Sequence, residues 1–132
     1  STNNSQIADT NNSTILSTAS HQINLKHSPE KAELFGEGYI STYLYERDLS
    51  ISPDAQEIIF TLSDYKQTIR SLVVIQKDDN WGSKQILSFS GKYHDIEPFY
   101  SPDGKQLFFA SNRPINVDSS RTDYNIWVSE KI

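Results

Sequence analysis

Four short stretches carry the densest apolar signal in the chain, and none of them has a helical period. Glu57-Ile58-Ile59-Phe60-Thr61-Leu62 and Gln106-Leu107-Phe108-Phe109-Ala110-Ser111 are compact apolar runs bounded by turn residues, the pattern of buried strands. Ile69 to Ile75 holds Leu72, Val73 and Val74, and Asn125-Ile126-Trp127-Val128 is a fourth run. Turn signals separate them: Ser52-Pro53-Asp54-Ala55, Asp78-Asp79-Asn80, Ser101-Pro102-Asp103-Gly104 and Asn112-Arg113-Pro114. No folded stretch of ten residues holds a 3.6 period, so the pattern predicts an all-β protein. The one helical turn it allows lies near Ser28-Pro29-Glu30-Lys31, because Pro suits a first helical position.

The chain repeats itself at a spacing of 49 residues. Asp48-Leu49-Ser50-Ile51-Ser52-Pro53-Asp54-Ala55-Gln56-Glu57-Ile58-Ile59-Phe60 lies over Glu97-Pro98-Phe99-Tyr100-Ser101-Pro102-Asp103-Gly104-Lys105-Gln106-Leu107-Phe108-Phe109. An acidic residue leads each copy, Ser-Pro-Asp is identical, and an apolar triplet ending in Phe follows at the same distance. Downstream, Ser71-Leu72-Val73-Val74-Ile75 matches Asn125-Ile126-Trp127-Val128-Ser129, five residues later in the second copy. An all-β repeat of about 40–50 residues points to propeller blades.

The repeated corner has a turn chemistry of its own. Pro53 and Pro102 preset φ for the first central position, Asp54 and Asp103 cap the turn through their carboxylates, and Gly104 accepts a positive φ. Ala55 replaces that glycine in the first copy, which predicts a type I or slightly opened turn there. These residues therefore read as structural, ahead of any metal or catalytic role for the aspartates.

Phe99 to Arg113, followed by Asp123-Tyr124-Asn125-Ile126-Trp127-Val128, resembles the TolB-like (WD-like) β-propeller repeat. The resemblance covers about residues 46–131 and is strongest in the second copy. The first copy departs from it, with Leu49 in place of Pro98 and no Arg after its second strand. The segments Gly36-Glu37-Gly38-Tyr39 and Ser90-Gly91-Lys92-Tyr93 look like parts of secreted or lipid-anchored envelope propellers of this type. The resemblance implies four-stranded antiparallel blades and says little about chemistry.

Counting strands gives blade one over 46–90, with strands at 46–51, 57–62, 69–76 and 84–88. Blade two spans 91–132, with strands at 95–100, 106–111 and 124–131, and its outer strand is missing. Lys31-Ala32-Glu33-Leu34-Phe35 resembles Lys84-Gln85-Ile86-Leu87-Ser88. The resemblance therefore implies a ring-closing strand within 29–45. About two blades do not close a ring, so the expectation is a fragment of a six-bladed propeller, or a ring assembled from several copies.

Composition refines the setting. Ser, Thr and Asn fill 13 of the first 20 positions, and such a segment buries too little apolar surface to offset its ordering entropy. Residues 1–28 are thus read as a disordered tether. A Ser-rich start without Met fits a lipoprotein whose signal and modified Cys have been removed, and it equally fits trimming. The expected location is the cell envelope, periplasmic or outer-membrane associated, with a lipid anchor upstream of Ser1. The net charge of -5, from 17 acidic and 12 basic residues, argues against a nucleic-acid partner. No apolar run reaches the roughly 18 residues of a membrane helix. The absence of Cys excludes disulfides and thiolate chemistry.

Candidate ligand-binding residues cluster at the entries to the first strand of each copy. Tyr93, His94, Asp95 and Glu97 precede or open one, and Arg47 stands at the equivalent entry of the other. Inner-strand entries line the mouth of a propeller channel. His94 and Glu97 together offer N and O ligands for a divalent metal, although the plainer reading has the carboxylates bonding neighbouring turns. Arg113 is expected to fork onto Asp123 or Asp103 and staple the blade, with recognition of a ligand carboxylate as the alternative. Trp81 is expected to cap a strand pair and Trp127 to pack between blades. Tyr39, Tyr43 and Tyr45 alternate, as a strand face or a sugar platform would. No nucleophile elbow or phosphate loop occurs.

Two readings of function follow. The first is a non-enzymatic binding or scaffold module using an axial face for protein or glycan partners, with no cofactor. The second is part of a carbohydrate-active or hydrolytic enzyme with a divalent metal near His94 and Glu97.

Overall fold

The computed structural model describes residues 23–130. Most of the expected tether, and the last two residues of the expected second blade, lie outside them. The chain divides between Thr42 and Tyr43 into two units. In the first unit, Gly36 anchors a turn: its carbonyl accepts the N–H groups of Tyr39, Ile40 and Ser41. Its φ is 61°, and a Cβ there would meet the Ile40 side chain at 2.8 Å, so glycine is required. Residues 31–35 form no strand. Leu34 stands 67% exposed, so the likeness to residues 84–88 does not translate into pairing. The Ser28–Lys31 segment forms no helical turn either.

The second unit is built from eight strands and, among the described residues, no helix. In chain order they are β1 (Tyr45–Ile51), β2 (Glu57–Ser63), β3 (Ser71–Asp78), β4 (Asn80–Trp81), β5 (Gln85–Ile86), β6 (Asp95–Tyr100), β7 (Gln106–Ser111) and β8 (Asn125–Glu130). Sheet one is the antiparallel order β1-β2-β3, with β4 and β5 both pairing β3. Those two short strands share one position, so the sheet is four positions wide. Sheet two is the antiparallel order β6-β7-β8. The expected strands at 95–100 and 106–111 appear with those bounds and the others with bounds shifted by one or two residues; the fourth of sheet one is shorter than 84–88. Strand β4 falls where a turn was expected. It holds Trp81, which is buried and lies beneath the Lys77 ammonium, 5.8 Å from the ring centroid.

Both corners fold alike. The Ser52 hydroxyl donates to Asp54 at 2.7 Å and accepts from the Glu57 N–H at 2.9 Å. Ser101 donates to Asp103 at 2.7 Å and accepts from the Gln106 N–H at 3.0 Å. In both, the aspartate also takes a backbone N–H two residues on, from Gln56 and from Lys105. The two corners are neighbours: a Cβ on Gly104 would lie 3.4 Å from Pro53. Ala55 corrects the sequence expectation. It holds φ 59°, close to the 74° of Gly104, so the turn keeps its shape and bears the strain rather than opening. Two backbone bonds complete each corner, Ser52 N–H to the Glu57 carbonyl and Ala55 N–H to that of Ser52, matched by Ser101 to Gln106 and Gly104 to Ser101. This shared set offsets a cost of about 1–2 kcal/mol for alanine in the left-handed region.

Strand registers define the faces. Ile59 opposes Val74 and Thr61 opposes Leu72, so these four share one face of sheet one. That face meets Tyr100, Leu107 and Phe109 of sheet two in a single apolar core, joined by Leu87, Phe89 and Trp127. The opposite face of sheet one, with Ile58, Phe60, Val73 and Ile75, is buried too, which explains the continuous apolar spelling of β2 and β3. In sheet two, Phe108 opposes Phe99 and Val128, and Ala110 opposes Ile126. These residues share the face turned away from the core. Phe99 is 66% exposed, Ile126 72% and Val128 53%.

Candidate functional site

The first strands of the two sheets, β1 and β6, pack against each other, and each breaks register at the same repeat position. The breaks fall between Arg47 and Ser50 and between Ile96 and Phe99. At each bulge an acidic residue takes a left-handed backbone: Asp48 and Glu97, both with φ 57°. Side-chain-bearing residues rarely hold that conformation, and bulges re-aim side chains. Arg47 stands between the two acids, 2.7 Å from Asp48 and 3.9 Å from Glu97. All three side chains remain accessible to solvent. The result is an exposed patch of one cation and two anions that crosses from one sheet to the other. The leading acid of each copy was visible in the sequence, but its bulge was not.

Asp95 and Arg113 lie elsewhere and face inward. Asp95 is fully buried. Its carboxylate accepts from the Arg113 guanidinium at 2.9 Å and from the Ser90 hydroxyl at 2.7 Å. Ser90 in turn accepts the Leu72 N–H at 2.9 Å. Arg113 also donates to Ser111 and to the Phe89 carbonyl, and its guanidinium lies over Phe89, Tyr93, Phe109 and Trp127 at 5.1–5.9 Å. This corrects the expected partner: Asp123 pairs with Arg121 and Asp103 caps its own corner. Only Asp95 offers Arg113 a carboxylate shielded from water, where a charge-assisted bond is strongest.

His94 completes this clamp. Its Nδ1 accepts the Arg70 N–H at 3.2 Å, its own N–H donates to Asn112, and the next N–H, of Asp95, donates to the Arg70 carbonyl. An accepting Nδ1 leaves the ring proton on Nε2. The ring is thus oriented toward β3, while Glu97 lies beside Arg47. Among the described residues, no three His, Cys, Asp or Glu gather as metal ligands. Tyr93 is half-buried under Arg113 and Lys92. The tyrosine alternation does not make a strand face: Tyr39 lies in a turn and Tyr43 in a bend, and only Tyr45 belongs to β1.

Three carboxylates are held below the usual range by hydrogen bonds to their charged forms. For Asp103 the first cause is the Lys105 N–H and then the Ser101 hydroxyl. For Asp64 it is the Thr68 N–H, and for Asp123 the Arg121 guanidinium. Burial, followed by its bond to Glu57, pushes the Tyr100 phenol up and keeps it protonated. None of these groups lies in the Arg47–Asp48–Glu97 patch. No protein family and no curated protein matches the chain.

Proposed function

We propose that the two sheets are successive blades of a TolB-like β-propeller, and that the module is a non-enzymatic binder of protein or glycan partners in a bacterial cell envelope. The observation that carries this reading is the sense in which the repeat packs. In sheet one, Ile59, Leu72 and Val74 receive sheet two. Their repeat equivalents in sheet two are Phe108, Ile126 and Val128, two of them more than half exposed. Each unit thus offers the same face to a successor. Propagation of this kind generates rings or open arrays rather than closed pairs, and radial repetition of four-stranded sheets is the propeller solution.

In this reading β1 and β6 are inner strands, and the exposed Arg47–Asp48–Glu97 patch lies on the channel side, where it contacts the partner. Asp95, Arg113 and His94 hold the blades in place. The test is binding of the full chain to purified envelope glycans and to an envelope protein extract, beside Arg47→Ala/Glu97→Ala and a surface control, Lys66→Ala. Loss confined to the patch variant supports the reading. Equal binding by all three proteins contradicts it. Elemental analysis of the same samples bears on the enzyme alternative: stoichiometric Mn, Ca or Zn, lost on His94→Ala and Glu97→Ala, would favour it.

A further inference from the structure

A cavity of about 340 Å³ lies between the two sheets. That volume sits at the lower end of the range for small-molecule sites. Its walls are apolar, from Val74, Leu87 and Leu107 among others, and its polar end is formed by Glu57, Gln76 and Tyr100. Glu57 is 93% removed from solvent, being 7% exposed. Its carboxylate accepts the Tyr100 hydroxyl at 2.6 Å and the Gln76 amide at 3.0 Å.

Both donors are neutral, and among the described residues no Lys, Arg or His pairs with Glu57. A buried carboxylate without a counter-charge is costly, and two bonds leave lone pairs free on its two oxygens. Glu130, also on the lining, adds a second negative charge, and among the described residues no Lys, Arg or His lines the cavity. Apolar walls beside a buried carboxylate are complementary to a cation carried on an apolar body.

We infer that this cavity binds a primary ammonium group on a short alkyl or aryl chain, the ammonium donating to Glu57 and the chain lying against Val74, Leu87 and Leu107. The site is separate from the Arg47–Asp48–Glu97 patch and does not depend on the propeller reading. The ammonium supplies the missing counter-charge, and its three donors suit the open lone pairs.

The experiment is calorimetric titration of the full chain with n-hexylammonium, n-hexanol and hexanoate at low ionic strength. Hexylammonium is expected to bind about tenfold or more tightly than hexanol, the weight of one charge-assisted hydrogen bond, and hexanoate not measurably. Glu57→Gln is expected to remove that preference. Because this change also touches the core, two further variants accompany it, each checked for native circular dichroism. Glu130→Gln is expected to weaken hexylammonium about two- to threefold, as a partly exposed charge would, and Leu87→Trp to block both hexylammonium and hexanol by filling the cavity. Equal affinity for hexylammonium and hexanol would overturn the inference, as would hexylammonium binding that survives both Glu57→Gln and Leu87→Trp in folded protein.

Discussion

Sheets one and two are written in the same pattern and differ in what covers them. Leu72 and Ile126 occupy the same repeat position; one is fully buried and the other 72% exposed. The outer edge of β3 carries β4 and β5, while β8 ends its sheet. Sheet one lacks the Arg that bonds the buried Asp95 of sheet two, since Asp64 stands where Arg113 does. Strand formation is therefore local, set by the corner and the apolar run, whereas burial depends on the neighbour. Apolar side chains in an open face contribute nothing to this fold until a partner sheet removes them from water.

The comparison can be broken at several points. The largest effect is expected at the clamp. Arg113→Ala leaves a fully buried carboxylate without its cation, so urea unfolding should show a loss of about 3–5 kcal/mol, with sheets one and two no longer unfolding together. A loss below about 1 kcal/mol would mean that the clamp is incidental. Next comes the matched pair Leu72→Ala and Ile126→Ala. The first creates a core cavity and should cost about 2–5 kcal/mol, while the second should stay within about 0.5 kcal/mol. Similar values for the two would erase the distinction between covered and open faces.

The corners sharpen the likeness rather than the difference. Ala55→Gly should raise stability by about 1 kcal/mol and Gly104→Ala should lower it by about the same, because both positions hold a left-handed backbone. The smallest effect is the acid response. The Asp103 carboxyl is held below its usual range by the Lys105 N–H and the Ser101 hydroxyl. Its contribution is therefore present above the unfolded value and fades as pH falls through the folded one. Asp103→Asn should flatten the acid limb of a stability–pH curve, and an unchanged limb would contradict this role.

Much of the fold was legible because its signals are local. The twin Ser-Pro-Asp corners and the runs at 57–62 and 106–111 located the strands, and the corner bonds are those the residue types imply. What escaped depends on distance in space. The bulges at Asp48 and Glu97 arise from pairing register, which no single strand states. Arg113 found Asp95 rather than the nearer-looking Asp123 because only folding makes Asp95 the buried acid. The segment 31–35 shares residues with 84–88, yet a strand needs an edge to pair with. Of the candidate site, Arg47 and Glu97 come together on the surface, while His94, Asp95 and Arg113 serve the interface between sheets.

Under the proposed function, the outward face of sheet two receives another unit of the same kind. The most direct test joins a further copy of residues 91–132 after Ile132 and measures the cost of Ile126→Ala in the first copy of that longer chain. The account predicts that the cost rises to the 2–5 kcal/mol expected of a core position, together with a higher melting temperature. An Ile126→Ala cost still within about 0.5 kcal/mol would contradict it.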